Sequence, residues 1–278
     1  MGKVTVDWEN SSSVDLYYED IGAGEPVVLV AGYPFGIASW EPQTLALLEA
    51  GYRVIAYDRR GFGRSSKPST GYDFDTLASD LDRILSDLDL KGVTLIGWSM
   101  GTGEISRYIA KYGTSRLGKV VLMGTIGPFL LKTADNPEGV DPSVFEGLKA
   151  ALRKDKAGAL RSIVHAANNY DGSGDPLISE SAIERSWNFA VETSPVAAIR
   201  SIDAWIEDFR DDLPRNDLPT LILGAGDLDR VLPPDATARR HARLLVKGRY
   251  VEFKDAPHNI GWTHTEKVNA EILGFLAE

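Results

Sequence analysis

Short runs of apolar residues alternate with amphipathic segments along much of the chain. Five predominantly apolar runs lie at residues 27–31, 52–57, 93–96, 119–123 and 220–223. Their length and composition are those of strands that are buried on both faces of a sheet. Segments of helical period follow, such as the one over 76–89, for which Asp75 is a candidate cap. Strands that alternate with helices predict an α/β fold with a doubly wound, mostly parallel sheet.

The two ends of the chain extend this pattern. Residues 3–8 and 14–20 alternate apolar and polar positions, which predicts an antiparallel hairpin at the edge of the sheet. Near the other end, the pattern predicts a helix over 234–245, a strand over 249–253 and a last helix over 265–276.

The middle of the chain breaks the alternation. Between residues 127 and 213 we find helical stretches and loops but no strand-like run. The predicted helices cover residues 142–152, 156–168, 179–190 and 194–208. A helical insertion between two strands predicts a cap over the carboxyl edge of the sheet. We therefore divide the chain into a core, residues 1–126 and 217–278, and an inserted helical cap, residues 127–216.

Composition and charge narrow the class of protein. The chain has 278 residues, of which 43% are hydrophobic and 25% charged, which is ordinary for a globular protein. A formal net charge of −10 argues against nucleic acid or an acidic membrane surface as a partner. The absence of cysteine excludes a disulfide framework and a thiol nucleophile. The four histidines show no ligand spacing, so we expect no metal and no other cofactor.

The N-terminal residues and the length of the apolar runs indicate where in the cell the protein is expected. No apolar stretch approaches the length of a membrane span. The first residues have the pattern of an amphipathic strand and not that of a signal peptide. We therefore expect a cytoplasmic enzyme with a small-molecule substrate and no membrane partner.

One serine has a distinctive local context. Residues 97–101 match the pattern G-x-S-x-G, after the apolar run 93–96 and before a helical pattern over 102–112. This order of strand, sharp turn and helix is typical of a nucleophile elbow. The glycines let neighbouring backbone pass close to a strained turn. We predict that Ser99 is a nucleophile.

A serine nucleophile needs a base, and one of the four histidines is well placed for that role. His258 lies in the loop after the run 249–253, where catalytic groups collect in open α/β sheets. His165 lies in an apolar helical stretch and is expected to pack in a core. His241 lies among arginines and is expected to face solvent, and His264 lies near the start of the last helix. We predict that His258 is the general base.

The carboxylate that orients this base should lie between the serine and the histidine along the chain. The loop after the run 220–223 offers two aspartates, Asp227 and Asp229. Asp229 fits a G-x-x-D-x-x-x-P spacing set by Gly226 and Pro233, whereas Asp227 has the character of a turn former. We favour Asp229 and keep Asp227 as the alternative.

Two backbone amides are candidates for an oxyanion hole. The Met100 amide begins the helix after Ser99, so it lacks an intrahelical partner. The Tyr33 amide lies in the loop after the run 27–31, and Pro34 next to it has no N–H to donate.

Several further stretches carry a family resemblance, namely residues 40–43, 51–63, 71–76, 99–101, 230–233, 256–258 and 262–264. Together they resemble the α/β-hydrolase superfamily and, within it, the cofactor-free (non-haem) haloperoxidases, aryl esterases and bacterial γ-lactamases. Residues 135–140 and 204–210 are most similar to the γ-lactamase branch. The resemblance implies an α/β-hydrolase fold and the triad of Ser99, Asp229 and His258. It also implies that homo-oligomers occur, although no residue here decides the oligomeric state.

The chain departs from the family around the candidate site. Ala31 and the pair Gly224 and Ala225 stand where relatives usually have His-Gly sequences. Trp98 replaces a phenylalanine that is common before the nucleophile, and residues 259–261 are less apolar than in relatives. The histidine missing at position 31 helps to brace the oxyanion loop in the family. These differences indicate a substrate unlike those of well-known esterases.

We therefore interpret the chain as a serine hydrolase that cleaves an ester, a lactone or a lactam, with perhydrolase activity as a side reaction. The alternative is a non-hydrolytic protein of this fold, a ligand receptor or biosynthetic scaffold with a modified oxyanion loop. The candidate pocket residues are Trp98, Trp187, Trp205 and Ile260. For the two cap tryptophans, a place in the cap's own core is the alternative.

Overall fold

The central sheet runs through the whole protein and sets the positions of the candidate residues. The computed structural model describes residues 1–172 and 177–278. In that part of the chain, the sheet has eight strands in the spatial order β1-β2-β4-β3-β5-β6-β7-β8. The strands are β1 (Gly2–Glu9), β2 (Ser12–Ile21), β3 (Pro26–Val30), β4 (Arg53–Tyr57), β5 (Val93–Trp98), β6 (Leu117–Met123), β7 (Thr220–Ala225) and β8 (Gly248–Phe253).

The strand directions confirm the predicted architecture. β1 pairs with β2, and β2 with β4, in antiparallel fashion, as expected for an edge hairpin. From β4 to β8 every neighbouring pair is parallel. The carboxyl ends of these strands therefore meet at one edge of the sheet, where ligands bind in open α/β folds.

Helices cover both faces of the sheet. They are α1 (Glu41–Glu49), α2 (Phe74–Asp87), α3 (Met100–Tyr112), α4 (Pro142–Lys154), α5 (Lys156–Asn168), α6 (Glu180–Val191), α7 (Pro195–Trp205), α8 (Ala238–Leu244), α9 (Ile260–Thr263) and α10 (Thr265–Ala277). Side chains of β3 alternate between two cores, with Val27 and Leu29 in one and Val28 and Val30 in the other. Within the described ranges, no helix is long and apolar enough to cross a bilayer.

Two predicted helix starts are wrong. The residue that caps α2 is Asp73 and not Asp75, because the Asp73 carboxylate accepts the Thr76 amide at 2.8 Å. Asp75 lies in the first turn and is free to pair with Arg107 instead, at 2.9 Å. The last helix before β8 begins at Ala238 and not at residue 234, because the preceding residue, Thr237, has non-helical backbone angles (φ −121°, ψ −100°).

The helices α4 to α7 lie between β6 and β7 in the chain, as the sequence pattern predicts for a cap. Residues 173–176 of the predicted cap lie outside the described residues. The domain boundaries at 126/127 and 216/217 stay a prediction.

Candidate active site

Ser99 occupies a sharp turn between β5 and α3. Its backbone has φ 52° and ψ −119°, in the left-handed half of conformational space that side chains disfavour. The strand, turn and helix expected from the G-x-S-x-G pattern are all present. A Cβ at Gly101 would lie 2.2 Å from the Val30 carbonyl oxygen, and one at Gly97 would lie 2.7 Å from Ile105. Gly101 therefore lets α3 begin close against β3, and Gly97 lets the same helix pack closely on the end of β5.

Two amides near Ser99 are free to bind an anion. The loop after β3 runs beside the serine, since a Cβ at Gly32 would lie 3.0 Å from the Ser99 Cβ. Among the described residues, neither the Tyr33 amide nor the Met100 amide donates to a protein acceptor. Unpaired N–H groups at the start of a helix are good oxyanion donors.

The Tyr33 side chain ties the same loop to the cap. Its hydroxyl donates to the Ala198 carbonyl of α7 at 2.9 Å. The Tyr33 ring meets the ring of Trp205 edge-on, at 4.9 Å between centroids. Burial raises the pKa of the Tyr33 phenol, so the group remains a neutral donor.

A buried ion pair supports this loop from the core side, and the sequence analysis did not find it. Arg59 donates to the Ala31 carbonyl at 2.8 Å and to the Glu104 carboxylate at 2.8 Å. Tyr57 donates to the other oxygen of Glu104, and burial raises the pKa of this phenol well above its usual value. Glu104 is four residues before Tyr108 on the apolar face of α3, and a carboxylate at that position was a usable signal.

The loops after β7 and β8 bring a carboxylate and an imidazole together. His258 Nδ1 lies 2.8 Å from Oδ2 of Asp229. The other carboxylate oxygen accepts the amides of Val231 and Leu232, each at 2.8 Å. Since a carboxylate accepts, Nδ1 carries the proton and Nε2 has the free lone pair when the ring is neutral. In the described part of the protein, this buried Nε2 has no hydrogen-bond partner, and thus none with Ser99 Oγ.

Asp227, the alternative acid, lies elsewhere. Its side chain is 81% exposed and pairs with Arg239 at 2.9 Å. The structure thus brings Asp229, and not Asp227, against His258.

The other histidines include one wrong prediction. His241 is buried and not solvent-facing: its Nδ1 lies 2.9 Å from the Thr125 hydroxyl, and burial lowers its pKa to about 4. Arg239 and Arg240 pair with the acidic side chains of Glu252 and Glu138, while His241 lies on the buried face of α8 with Ala238. His165 is half-buried against the Tyr170 ring, and His264 directly precedes α10.

Of the four candidate pocket residues, Trp98 and Trp205 contact other candidate site residues, Ile260 is buried, and Trp187 packs on a neighbouring cap helix. Trp98 lies at the site, with its ring 5.8 Å from that of His258 and 5.1 Å from that of Phe35. Trp205 contacts Tyr33, and Ile260 is fully buried at the start of α9. Trp187 lies on the flank of α5, because its indole N–H donates to the Ala157 carbonyl and its ring stacks with Arg161.

The described residues also bear on metal binding and access. Among them, no group of three or more histidine, aspartate or glutamate side chains could hold a metal ion. Ser99 is 8% exposed and His258 2%, so both residues are shielded from bulk water.

Comparison with known proteins identifies the family of this fold. The sequence matches the family profile of the alpha/beta hydrolase fold over residues 25–265. It is 50% identical over 276 residues to a protein of Synechocystis sp. with the provisional name non-heme chloroperoxidase, which covers 99% of this chain and 100% of that one. A bifunctional esterase/perhydrolase of Acinetobacter calcoaceticus is 31% identical over 281 residues, 99% of each chain. The crystal structure of bromoperoxidase from Bacillus anthracis matches with a TM-score of 0.94 and 40% identity, over 100% of this chain and 99% of that one.

The chain therefore belongs to the α/β-hydrolase family. Within that family its relatives are cofactor-free haloperoxidases and esterases, as the sequence motifs predict. It is an enzyme of the α/β-hydrolase superfamily.

Proposed function

We propose that the protein is a serine hydrolase that cleaves an ester, a lactone or a lactam through an acyl-enzyme on Ser99. His258 takes the Ser99 proton as the hydroxyl attacks the substrate carbonyl. The amides of Tyr33 and Met100 stabilise the oxyanion, and Asp229 stabilises the imidazolium that forms. The leaving group then departs with a proton from His258, and water releases the acyl group by the reverse sequence.

The observation that carries this proposal is the asymmetry of the His258 ring. Nδ1 is held by Asp229 at 2.8 Å, while the buried Nε2 has no partner among the described residues. A buried nitrogen without a hydrogen bond is costly, so its presence points to a role in binding or catalysis. The missing hydrogen bond between Nε2 and Ser99 Oγ does not contradict that role, since catalytic hydrogen bonds often form only when substrate binds.

The name of one relative supports a side reaction. A protein that is 31% identical is called a bifunctional esterase/perhydrolase. In our proposal, hydrogen peroxide replaces water at the acyl-enzyme. One peroxide oxygen attacks the acyl carbonyl, His258 accepts its proton, and Ser99 leaves with that proton as the peracid forms. No metal or redox cofactor enters this step.

A fluorophosphonate tests the proposal directly. An activated Ser99 would displace fluoride and gain one adduct, read as an increase in intact mass. We expect a single adduct on the wild-type protein and none on Ser99→Ala, with labelling of His258→Ala slowed by several orders of magnitude. A folded wild-type protein that stays unlabelled would favour the non-hydrolytic alternative, a receptor or scaffold.

A further inference from the structure

The end of one cap helix touches both of the loops that carry Asp229 and His258. We call residues Ala167–Asn169 the α5 terminus; they comprise the last two residues of α5 and the residue that follows. Neither loop is adjacent to it in the chain. Asn168 is 91 residues from its partner in one loop, and Asn169 is 59 residues from its partner in the other.

The histidine loop is held by two hydrogen bonds. The amide of Asn259, the residue directly after His258, donates to the Ala167 carbonyl at 2.8 Å. The side-chain amide of Asn259 donates to Asn168 Oδ1 at 2.9 Å, and both side chains are buried. The Asn168 side chain is itself fixed, since its side-chain amide donates to the Val164 carbonyl at 2.8 Å. The last carbonyls of a helix lack intrahelical partners, so the first of these bonds also satisfies α5.

The acid loop is held by the next residue of the same turn. Asn169 donates from its side-chain amide to the Leu228 carbonyl at 2.9 Å, directly before Asp229. Its backbone is left-handed, with φ 50° and ψ 35°, where α5 ends. Asparagine tolerates this conformation better than most residues.

We propose that the α5 terminus is a positioning element that sets the separation of Asp229 and His258. Asp229 and His258 lie on loops from two different strands, and three consecutive residues of one helix end bond to a neighbour of each. A shift of either loop would lengthen the 2.8 Å contact between Nδ1 and Oδ2. Misplacement by about 1 Å can cost on the order of a hundredfold in rate. In this proposal a cap helix helps to align His258 with Asp229, in addition to any role in covering the site. This role rests on the proposed function.

The sharpest variant is Asn169→Gly. Glycine accepts the left-handed backbone without strain, so the change removes the bond to Leu228 while preserving the turn. Asn10→Gly is the matched control, because Asn10 is also left-handed (φ 48°) and lies in the exposed turn of the edge hairpin. Asn259→Ala removes the side-chain bond to Asn168 on the other loop. Thermal unfolding of each variant shows that it is folded.

We expect Asn169→Gly and Asn259→Ala to slow fluorophosphonate labelling and to lower kcat for p-nitrophenyl acetate by on the order of tenfold, with little change in KM. The proton on His258 Nδ1, which is shifted downfield in NMR spectra by a carboxylate partner, should move upfield or exchange faster. Asn10→Gly should match the wild type in all three measurements.

Two results would overturn the inference in different ways. If wild type is labelled at Ser99 while Asn169→Gly has wild-type rates and an unchanged Nδ1 proton, the α5 terminus only attaches the cap and the proposed function stands. If wild type is not labelled at all, the proposed function fails, and the positioning role fails with it.

Discussion

Arg59 donates to the carbonyl oxygen of Ala31 at 2.8 Å, one peptide before the glycine that lies against Ser99. The family resemblance predicts a histidine at position 31 that would brace the oxyanion loop, and here that side chain is a methyl group. The Arg59 guanidinium supports the loop through its hydrogen bond to Ala31. Glu104, on the helix that follows Ser99, fixes the position of the guanidinium. The loop with the Tyr33 amide and the Ser99 helix are therefore linked through one buried side chain.

Replacement of this arginine should affect turnover more than binding. Arg59→Lys keeps the charge beside Glu104, but an ammonium cannot reproduce the planar fork that reaches both Glu104 and Ala31. We expect kcat to fall by roughly tenfold or more, because an oxyanion donor acts mainly in the transition state, with KM changed little. Steady-state kinetics on an aryl ester measures both constants.

Arg60→Lys is the control for that experiment. Arg60 forms an equally buried pair, with Asp80 at 2.7 Å, but touches no part of the oxyanion loop in the described contacts. The two variants should lose similar stability. Equal kcat values for the two variants would show that the Arg59 bond to Ala31 has no role in the reaction.

The two aspartates of the acid loop offer a second matched pair. Asp229→Asn removes the acceptor for His258 Nδ1 and favours the wrong tautomer, which in serine triads lowers kcat by about 10⁴. Asp227→Asn loses only an exposed ion pair with Arg239 and should stay within about twofold of the wild type. Rates measured at neutral pH decide between them. A large loss for Asp227→Asn would reverse the assignment.

Local patterns were sufficient to predict the strands, most helices and the Ser99 turn. Apolar period and turn residues act over a few positions, so β5, the elbow and α3 could be predicted together. His258 and Asp229 could be predicted as site candidates because loops after parallel strands converge at one edge. The support of the oxyanion loop by Arg59 and the contacts of the α5 terminus could not be predicted. Both depend on tertiary contacts between distant segments, such as those of Arg59 with Ala31 and of Asn168 with Asn259.

His241 shows why a local pattern can mislead. Arginines at 239, 240 and 243 suggested a solvated helix face, yet Ala238 and His241, three residues apart, are the buried positions of α8. The hydroxyl that pairs with His241 belongs to Thr125 on another element, so the neighbouring residues carry no sign of this burial.

The buried His241 should make stability depend on pH. Burial lowers its folded pKa to about 4, from a usual value near 6.5, so the unfolded state binds the proton more readily between these values. The stabilising contribution is thus fully present above about pH 6.5 and is lost as pH falls towards 4, by roughly 3 kcal/mol in total. Urea unfolding at pH 7 and pH 4.5 measures the loss.

The variant His241→Gln isolates this residue from the other titrating groups. Glutamine does not titrate, so the difference in unfolding free energy between the two pH values should shrink relative to the wild type. His264→Gln is the comparison, because His264 is only partly buried and should contribute less. If His241→Gln leaves the pH dependence unchanged, burial does not disfavour the charged form of His241.

Two helical glycines test the elbow itself. Gly101→Ala would place a Cβ 2.2 Å from the Val30 carbonyl oxygen, so β3 or α3 must shift. We expect a loss of about 1–3 kcal/mol in stability, together with a drop in Ser99 labelling, since the shift moves the turn that presents the serine. Gly147→Ala in α4 meets nothing within 4 Å and should instead gain about 0.5–1 kcal/mol from helix propensity. If Gly101→Ala lowers the melting temperature and slows labelling while Gly147→Ala raises the melting temperature, the close approach of β3 makes Gly101 necessary. Equal stabilities of the two variants would contradict this.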